Sequence, residues 1–335
     1  MSRTGAPRRD LAGAPRRDLA GAPRRDGRFL NPGGEAAGQP LAAVWKLMRA
    51  GQGEAWPPRV VDPPQPPPEE PPPGHLAVTL IGHDTFLLRF HGGPTLLTDP
   101  IWSERCSPFS FAGPRRVRAP ALAMAALPPI DAVLLSHNHY DHLDLPSLRA
   151  LRAPRILTGL GVGAFLARQG IGGAEELDWW DEAALPNGAV ATFLPARHFA
   201  ARGVLDRCRT LWGGFAIRTG EGRSVLFAGD TAYGSHLAEI GRELGPFAVG
   251  LIPIGAYEPR WFMEVVHMNP EEAVRARADL RVDRAVAMHF GTFKLTQEAI
   301  DEPPRALTAA REAAGLPPEA FRVPGFGETL VLPLG

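Results

Sequence analysis

The sequence predicts an α/β (α+β) protein in which two β-sheets pack together with helices outside. From residue 76 onward, short apolar runs alternate with turn residues, as buried strands do. These runs form one strand-rich half followed by another, with helical stretches interspersed. Layered sheets flanked by helices bury such runs. The length of 335 residues suits one large domain or a fused pair of similar halves.

The chain divides into three stretches. Residues 1–40 read as a disordered tail, because residues 5–12 (GAPRRDLA) recur at 13–20 and again, in part, at 21–26. A Gly- and Pro-bearing octad fits neither a helix nor a strand. A basic arm for a membrane surface or partner is the other reading, weakened by the Asp that partly offsets each Arg pair. Residues 41–75 combine an apolar segment with a Pro-rich strap. Leu41, Val44, Trp45, Leu47 and Met48 recur at roughly helical spacing, for packing on the domain or for contact with lipid or apolar substrate. Ten prolines in residues 57–74 make an extended strap.

Residues 76–335 read as the main folded domain. Strands are expected at 76–82, 86–90 and 95–98, then at 131–135 and 156–157, with helices at 145–151 and 161–169. The second half offers strands at 189–194, 211–218, 224–228, 248–254 and 284–288, and a helix at 236–244. Asn269 caps a helix opened by Pro270. A last helix at 304–314 stops at Gly315.

Lys+Arg and Asp+Glu both number 36, which leaves no electrostatic footprint for nucleic acid. Two cysteines, Cys106 and Cys208, do not make a disulfide framework or a Cys-based zinc site. No apolar run reaches the roughly 18 residues of a membrane span, and no secretory signal is visible. The expectation is a cytoplasmic protein, with peripheral membrane contact left open.

Residues 136–144 (SHNHYDHLD) carry the chemistry. His137, His139, Asp141 and His142 follow an apolar strand, on a loop that a rigid scaffold can aim. Imidazole and carboxylate suit zinc and its borderline neighbours. Further ligands come from other strand ends: His198, Asp230 and His289. Each alone reads more readily as an ordinary loop or turn residue than as a ligand. Together these five His and two Asp suffice for two metals if one carboxylate bridges.

With these residues in place, the chain resembles the metallo-β-lactamase-fold hydrolases. More narrowly, it resembles the N-acyl-phosphatidylethanolamine-hydrolysing phospholipase D family. The likeness runs from about residue 78 to the C-terminus. It rests on residues 97–101 (LTDPI), 128–132 (PPIDA), 136–144, 176–180 (ELDWW), 211–213 (LWG), 227–231 (FAGDT) and 289–293 (HFGTF). Residues 252–263 (IPIGAYEPRWFM) carry most of the narrower assignment. The resemblance implies a four-layer αβ/βα sandwich with two Zn2+ at one edge, iron or manganese being alternatives. His137, His139, His198 and Asp230 would hold one metal; Asp141, His142, His289 and the same Asp230 the other. Water activated there at neutral pH would cleave the phosphodiester to N-acylethanolamine and phosphatidic acid.

The resemblance also implies catalytic roles for Asp230 and His267, with a structural place beside a helix cap as the lesser reading of His267. Tyr140 and Arg260 would line the substrate site. Asp99 and Asp144 would hold the far N–H of metal-bound imidazoles, or act as turn or cap residues. The partners would be a phospholipid or other small molecule, no nucleic acid, and a second copy in a homodimer. Val266, Ser110 and Phe111 differ from the eukaryotic enzymes at substrate-facing positions. The alternative function is a lactonase or small-molecule phosphodiesterase on the same fold. A binding protein with a relict site would have lost ligands, and none is missing here.

Overall fold

The computed structural model describes residues 8–9, 15–16 and 19–335, apart from 50, 52, 204 and 221–223. In chain order the strands are β1 (His75–Gly82), β2 (Thr85–Phe90), β3 (Thr95–Thr98), β4 (Ala132–Leu135), β5 (Ile156–Gly159), β6 (Ala174–Leu177) and β7 (Glu182–Ala184). They continue with β8 (Val190–Leu194), β9 (Gly214–Arg218), β10 (Ser224–Phe227), β11 (Phe247–Pro253), β12 (Val282–Met288), β13 (Phe321–Arg322) and β14 (Thr329–Pro333). The helices are α1 (Leu41–Arg49), α2 (Leu145–Leu151), α3 (Val162–Arg168), α4 (Ser235–Leu244), α5 (Arg260–Met263), α6 (Pro270–Asp279) and α7 (Glu302–Ala313).

Two seven-stranded sheets result. One runs β6-β5-β4-β3-β2-β1-β14, the other β7-β8-β9-β10-β11-β12-β13. Both have the same polarity pattern. Strands β14-β1-β2-β3 are mutually antiparallel, and β3-β4-β5-β6 are parallel. In the other sheet β7-β8-β9-β10 are antiparallel and β10-β11-β12-β13 parallel. The two sheets therefore repeat one strand pattern.

Strand side chains alternate between faces, and burial follows. Leu76, Val78, Leu80, Phe86, Leu88 and Leu134 join the large core shared with the second sheet. Leu87, Val133 and Leu135 point the other way, onto Leu148 of α2 and Val162 and Leu166 of α3. On the second sheet Phe193, Phe215, Phe227 and Phe247 are fully buried, and Leu237 and Ile240 of α4 pack onto the same core. The layers are helices, sheet, sheet, helices. The cap on α6 forms as expected: Glu272 N donates to Asn269 Oδ1 at 2.8 Å, and Asn269 N donates to Glu272 Oε2 at 3.1 Å.

Several boundaries differ from expectation. Strands β6, β7, β13 and β14 and helix α5 were not anticipated. β6 (AEEL) has a polar sequence at a sheet edge, and β14 is set by long-range pairing with β1. The expected disorder to residue 40 is also corrected. Residues 1–7, 10–14 and 17–18 of the octad region lie outside the described residues, and Arg8–Arg9 pair with Pro15–Arg16. From residue 19 onward the chain packs on the domain. A short hairpin pairs Arg24–Arg25 with Arg28–Phe29, and Phe29 is only 2% exposed in the main core. The side chains of Leu41, Trp45 and Met48 lie outside the description, while Leu47 of α1 borders a cleft considered below. The Pro-rich strap is extended and anchored: Val60 N donates to Val117 O at 2.7 Å, and Arg118 pairs with Asp62 at 3.0 Å.

If the early segment belongs to the fold, Phe29→Ala will cost about 3 kcal/mol, the usual loss for a buried Phe. Urea unfolding measures this, and an unchanged midpoint would mean the segment is not part of the core.

Candidate metal centre

The loop after β4 is fixed before any ligand is considered. Ser136 N donates to Asp99 Oδ1 at 2.7 Å, and Ser136 Oγ donates to Asp99 Oδ2 at 2.5 Å. Gly213 N donates to Ser136 O at 3.1 Å, which ties the second sheet to this loop. Leu143 N closes a tight turn on His139 O at 2.8 Å. Asp230 arrives on a turn that needs glycine before it. Gly229 has φ +61°, and a Cβ there would stand 2.7 Å from Gly213 O and 3.0 Å from Ser136 Cβ.

The residues expected as ligands converge. His137 Nε2 lies 2.8 Å from His139 Nδ1, and His198 Nε2 lies 3.2 Å from that same atom. Asp230 Oδ2 stands 3.1 Å from His142 Nε2, 3.6 Å from His198 Nε2 and 3.8 Å from His137 Nε2. Its Oδ1 is 3.3 Å from His289 Nε2. Asp141 Oδ2 is 3.5 Å from His142 Nε2 and 3.6 Å from His289 Nε2. Thus one group is His137, His139 and His198, another contains Asp141, His142 and His289, and the Asp230 carboxylate lies between them.

The far sides of these rings are anchored as metal-bound imidazoles usually are. His142 Nδ1 pairs with Asp99 Oδ2 at 2.7 Å, His137 Nδ1 with Ser136 Oγ at 2.9 Å, and His198 Nδ1 with Val266 O at 2.9 Å. Asp99 is thus hydrogen-bonded behind both His142 and Ser136. Asp144 is not so placed: it accepts from Ser103 N and Ser103 Oγ, at 3.2 and 2.8 Å, and braces the loop before α2.

Burial, and then the other imidazoles nearby, hold His137 well below its ordinary value and His139 at about 3. Burial also lowers His198 and His267. It is the largest single influence on His142 and His289 too, yet the carboxylates around them, Asp230 foremost with Asp141 beside both and Asp84 beside His289, together outweigh it and raise both. Burial would raise Asp230, but His142, His289 and His267 hold it well below the usual carboxylate range. The donor set fits cations. His142 Nε2, His289 Nε2 and Asp230 Oδ1 are buried, face one another and make no hydrogen bond. Leaving such groups unpaired costs about 1–3 kcal/mol each. Neutral ring nitrogens 2.8–3.2 Å apart and ionised carboxylates are the chemistry of a metal site.

His267 stands at the rim, with Nε2 3.9 Å from Asp230 Oδ2. Two other expectations are corrected. Arg260 does not line the cleft: its guanidinium donates to His267 O at 2.9 Å and to Glu272 Oε2 at 2.6 Å, so it holds the turn that carries His267. Tyr140 points to the other side of the ligand loop. Its hydroxyl donates to Arg202 O at 3.0 Å, and the Arg202 guanidinium lies 3.8 Å over its ring.

Two residues were missed as neighbours of the centre. His83 Nε2 lies 3.3 Å from Asp141 Oδ2, and its ring centroid is 4.2 Å from that of His289. Asp84 is fully buried 3.6 Å from His142 Nδ1, and burial pushes its carboxyl up to about 7. The signal was the His-Asp pair directly after the first strand. The centre opens into a cleft of about 620 Å³, walled by Phe199, Phe262, Met263, Val266 and Leu295. No helix among the described residues is long and apolar enough to cross a membrane.

Comparison with known proteins agrees with this geometry. The family model for the β-lactamase superfamily domain matches residues 95–290. An uncharacterised protein of Mycobacterium tuberculosis is 41% identical over 80% of this chain and 73% of its own length. N-acyl-phosphatidylethanolamine-hydrolyzing phospholipase D 1 of Caenorhabditis elegans is 40% identical over 68% of this chain and 67% of its own. Among solved structures, a metallo hydrolase of the archaeon Ignicoccus hospitalis is 25% identical with a TM-score of 0.56, covering 77% of this chain and 98% of that one. With two mixed sheets between helices and a buried His/Asp centre at their shared edge, the chain belongs to the β-lactamase superfamily, as a metal-dependent hydrolase resembling the N-acyl-phosphatidylethanolamine-hydrolysing phospholipase D family.

Proposed function

We propose that the cleft binds two zinc ions and hydrolyses N-acyl phosphatidylethanolamine-type phospholipids, releasing N-acylethanolamine and leaving phosphatidic acid. The observation that carries this reading is the wall of the cleft. Phe262 and Met263 belong to the IPIGAYEPRWFM run, and with Val266 and Leu295 they put apolar surface beside the polar centre. A phosphodiester bearing acyl chains has that pairing of polar and apolar parts. The name of the nematode relative supports it.

His137, His139 and His198 with Asp230 would hold one zinc, and Asp141, His142 and His289 with Asp230 the other. Bound zinc supplies Lewis acidity toward phosphoryl oxygens and makes water acidic enough to attack near neutral pH. The protein keeps the ligands in place. Asp99 orients His142 directly and His137 through Ser136, and the Val266 carbonyl orients His198. His267, neutral because buried, lines the cleft with Nε2 3.9 Å from Asp230 Oδ2 and would contact a phosphoryl oxygen bound there. Arg260 keeps it there through its backbone carbonyl. The apolar wall excludes water from the acyl side. Overall, water adds its hydroxyl to phosphorus and its proton to the departing N-acylethanolamine oxygen.

Metal-replete protein incubated with N-acyl phosphatidylethanolamine vesicles will release N-acylethanolamine, measured by mass spectrometry. Asp230→Ala will lower the rate at least a hundredfold. No release above that variant sinks the proposal, and turnover of lactones or small phosphodiesters alone would favour the alternative activity.

The metal-free protein carries a pH signature. His83, His139 and His236 are pushed down to about 3 from 6.5, chiefly by burial. Below pH 6.5 the unfolded chain protonates these imidazoles and the native state does not, so stability falls with pH. Each contributes about 1.4 kcal/mol per pH unit. Asp84, raised to about 7, acts the opposite way but is outnumbered. Above pH 6.5 the raised His142 and His289 lose native-state protons, and their contribution falls as pH climbs. Urea midpoints in chelator will therefore be highest near pH 6.5 and lower at pH 5. A midpoint that rises toward pH 5 would contradict the buried, neutral imidazoles.

A further inference from the structure

Residues 29–39 precede the family match at 95–290, yet they pack directly behind a proposed metal ligand. Asn31 is 2% exposed, and its side-chain Oδ1 accepts from His198 N at 2.9 Å. Its own backbone is fixed as well: Asn31 N donates to Glu35 O, and Gly34 N to Asn31 O, both at 2.9 Å. The amide oxygen is therefore held in place against His198.

His198 needs such support. It sits near the start of the long connection between β8 and β9, residues 195–213, and long loops without regular structure are where alternative conformations collect. Much of what ties this loop down comes from the early segment. Phe29 N donates to Cys208 O at 2.8 Å. Arg207 Nη2 donates to Ala37 O at 3.1 Å and to Gln39 O at 2.8 Å. Arg197 pairs with Glu35 at 2.7 Å. The segment then reaches the cleft wall, where Gln39 Nε2 donates to Phe262 O at 2.7 Å. His198 closes the circuit from its ring, through Nδ1 to Val266 O.

We propose that residues 29–39 form a clasp joining the His198 loop to the wall carrying Phe262 and His267, with Asn31 as a positioning residue for His198. Asn31 acts through the His198 backbone and touches neither metal nor substrate. Losing its acceptor would leave a buried N–H unpaired and free the loop to relax, moving the His198 ring while the ligands on the other loops stay put. The effect is confined to one of the two metal positions, which separates it from a general loss of stability. The proposal rests on His198 being a metal ligand.

The test titrates cobalt(II) alone into the metal-free, full-length protein, following visible absorption and chelator competition. Wild type will take up two equivalents. Asn31→Leu, similar in size but without an acceptor, will bind one equivalent on the order of tenfold more weakly, the low end of what supporting partners contribute, and leave the other unchanged. Asn31→Asp, which keeps the acceptor oxygen, will restore it. If the leucine variant does not fold, Asn31→Ala replaces it in the same comparison. His198→Ala, run alongside, will abolish the same equivalent. If His198→Ala retains both equivalents, the ligand assignment fails and the clasp with it. If His198→Ala loses one but the Asn31 variants bind like wild type, or weaken both equivalents alike, only the clasp is overturned.

Discussion

The site depends on one constraint: imidazoles and carboxylates from loops of two sheets must face one another out of water. Neither sheet supplies the centre alone. The first contributes His137, His139, Asp141 and His142 after β4; the second contributes His198, Asp230 and His289 after β8, β10 and β12. Burying these groups without partners is unfavourable. The sandwich pins the loops to each other through backbone contacts such as Gly213 N to Ser136 O, so the groups cannot turn away to solvent.

The shared strand pattern of the two sheets explains how this edge became so rich. Asp99 follows β3 and Asp230 follows β10, matching places in the two sheets. One of the pair stands behind the centre and orients His142 and Ser136; the other stands in its middle. His83 after β1 and His198 after β8 are related in the same way. Several of these turns are strained. His83, Asp99 and His289 all have positive φ, at 51°, 29° and 60°. Such conformations cost about 1–3 kcal/mol each and persist only where the surroundings over-determine them.

Much of this was legible in the chain. The His/Asp loop after an apolar run, and three further polar residues at strand ends, marked seven of the residues that converge, because each stands where periodic apolar sequence stops, while His83 and Asp84 were missed. The α6 cap was legible because Asn269 and Pro270 act locally. What escaped notice depends on distant contacts. β14 is defined by its pairing with β1, and the place of Phe29 by a core assembled from residues far along the chain. Tyr140 and Arg260 were misplaced for a related reason: sequence put them beside functional residues, whereas side-chain direction is decided by Arg202 on one side and Glu272 on the other. The octad at the start drew attention to a tail and hid the segment after it that packs behind His198.

The central claim is that Asp230 stands between two bound metals. Anomalous diffraction from crystals of zinc-replete protein, collected on both sides of the zinc edge, tests it most directly. Two peaks roughly 3.5–4 Å apart, one on each side of the Asp230 carboxylate, are predicted. A single peak, or peaks away from Asp230, would contradict the account.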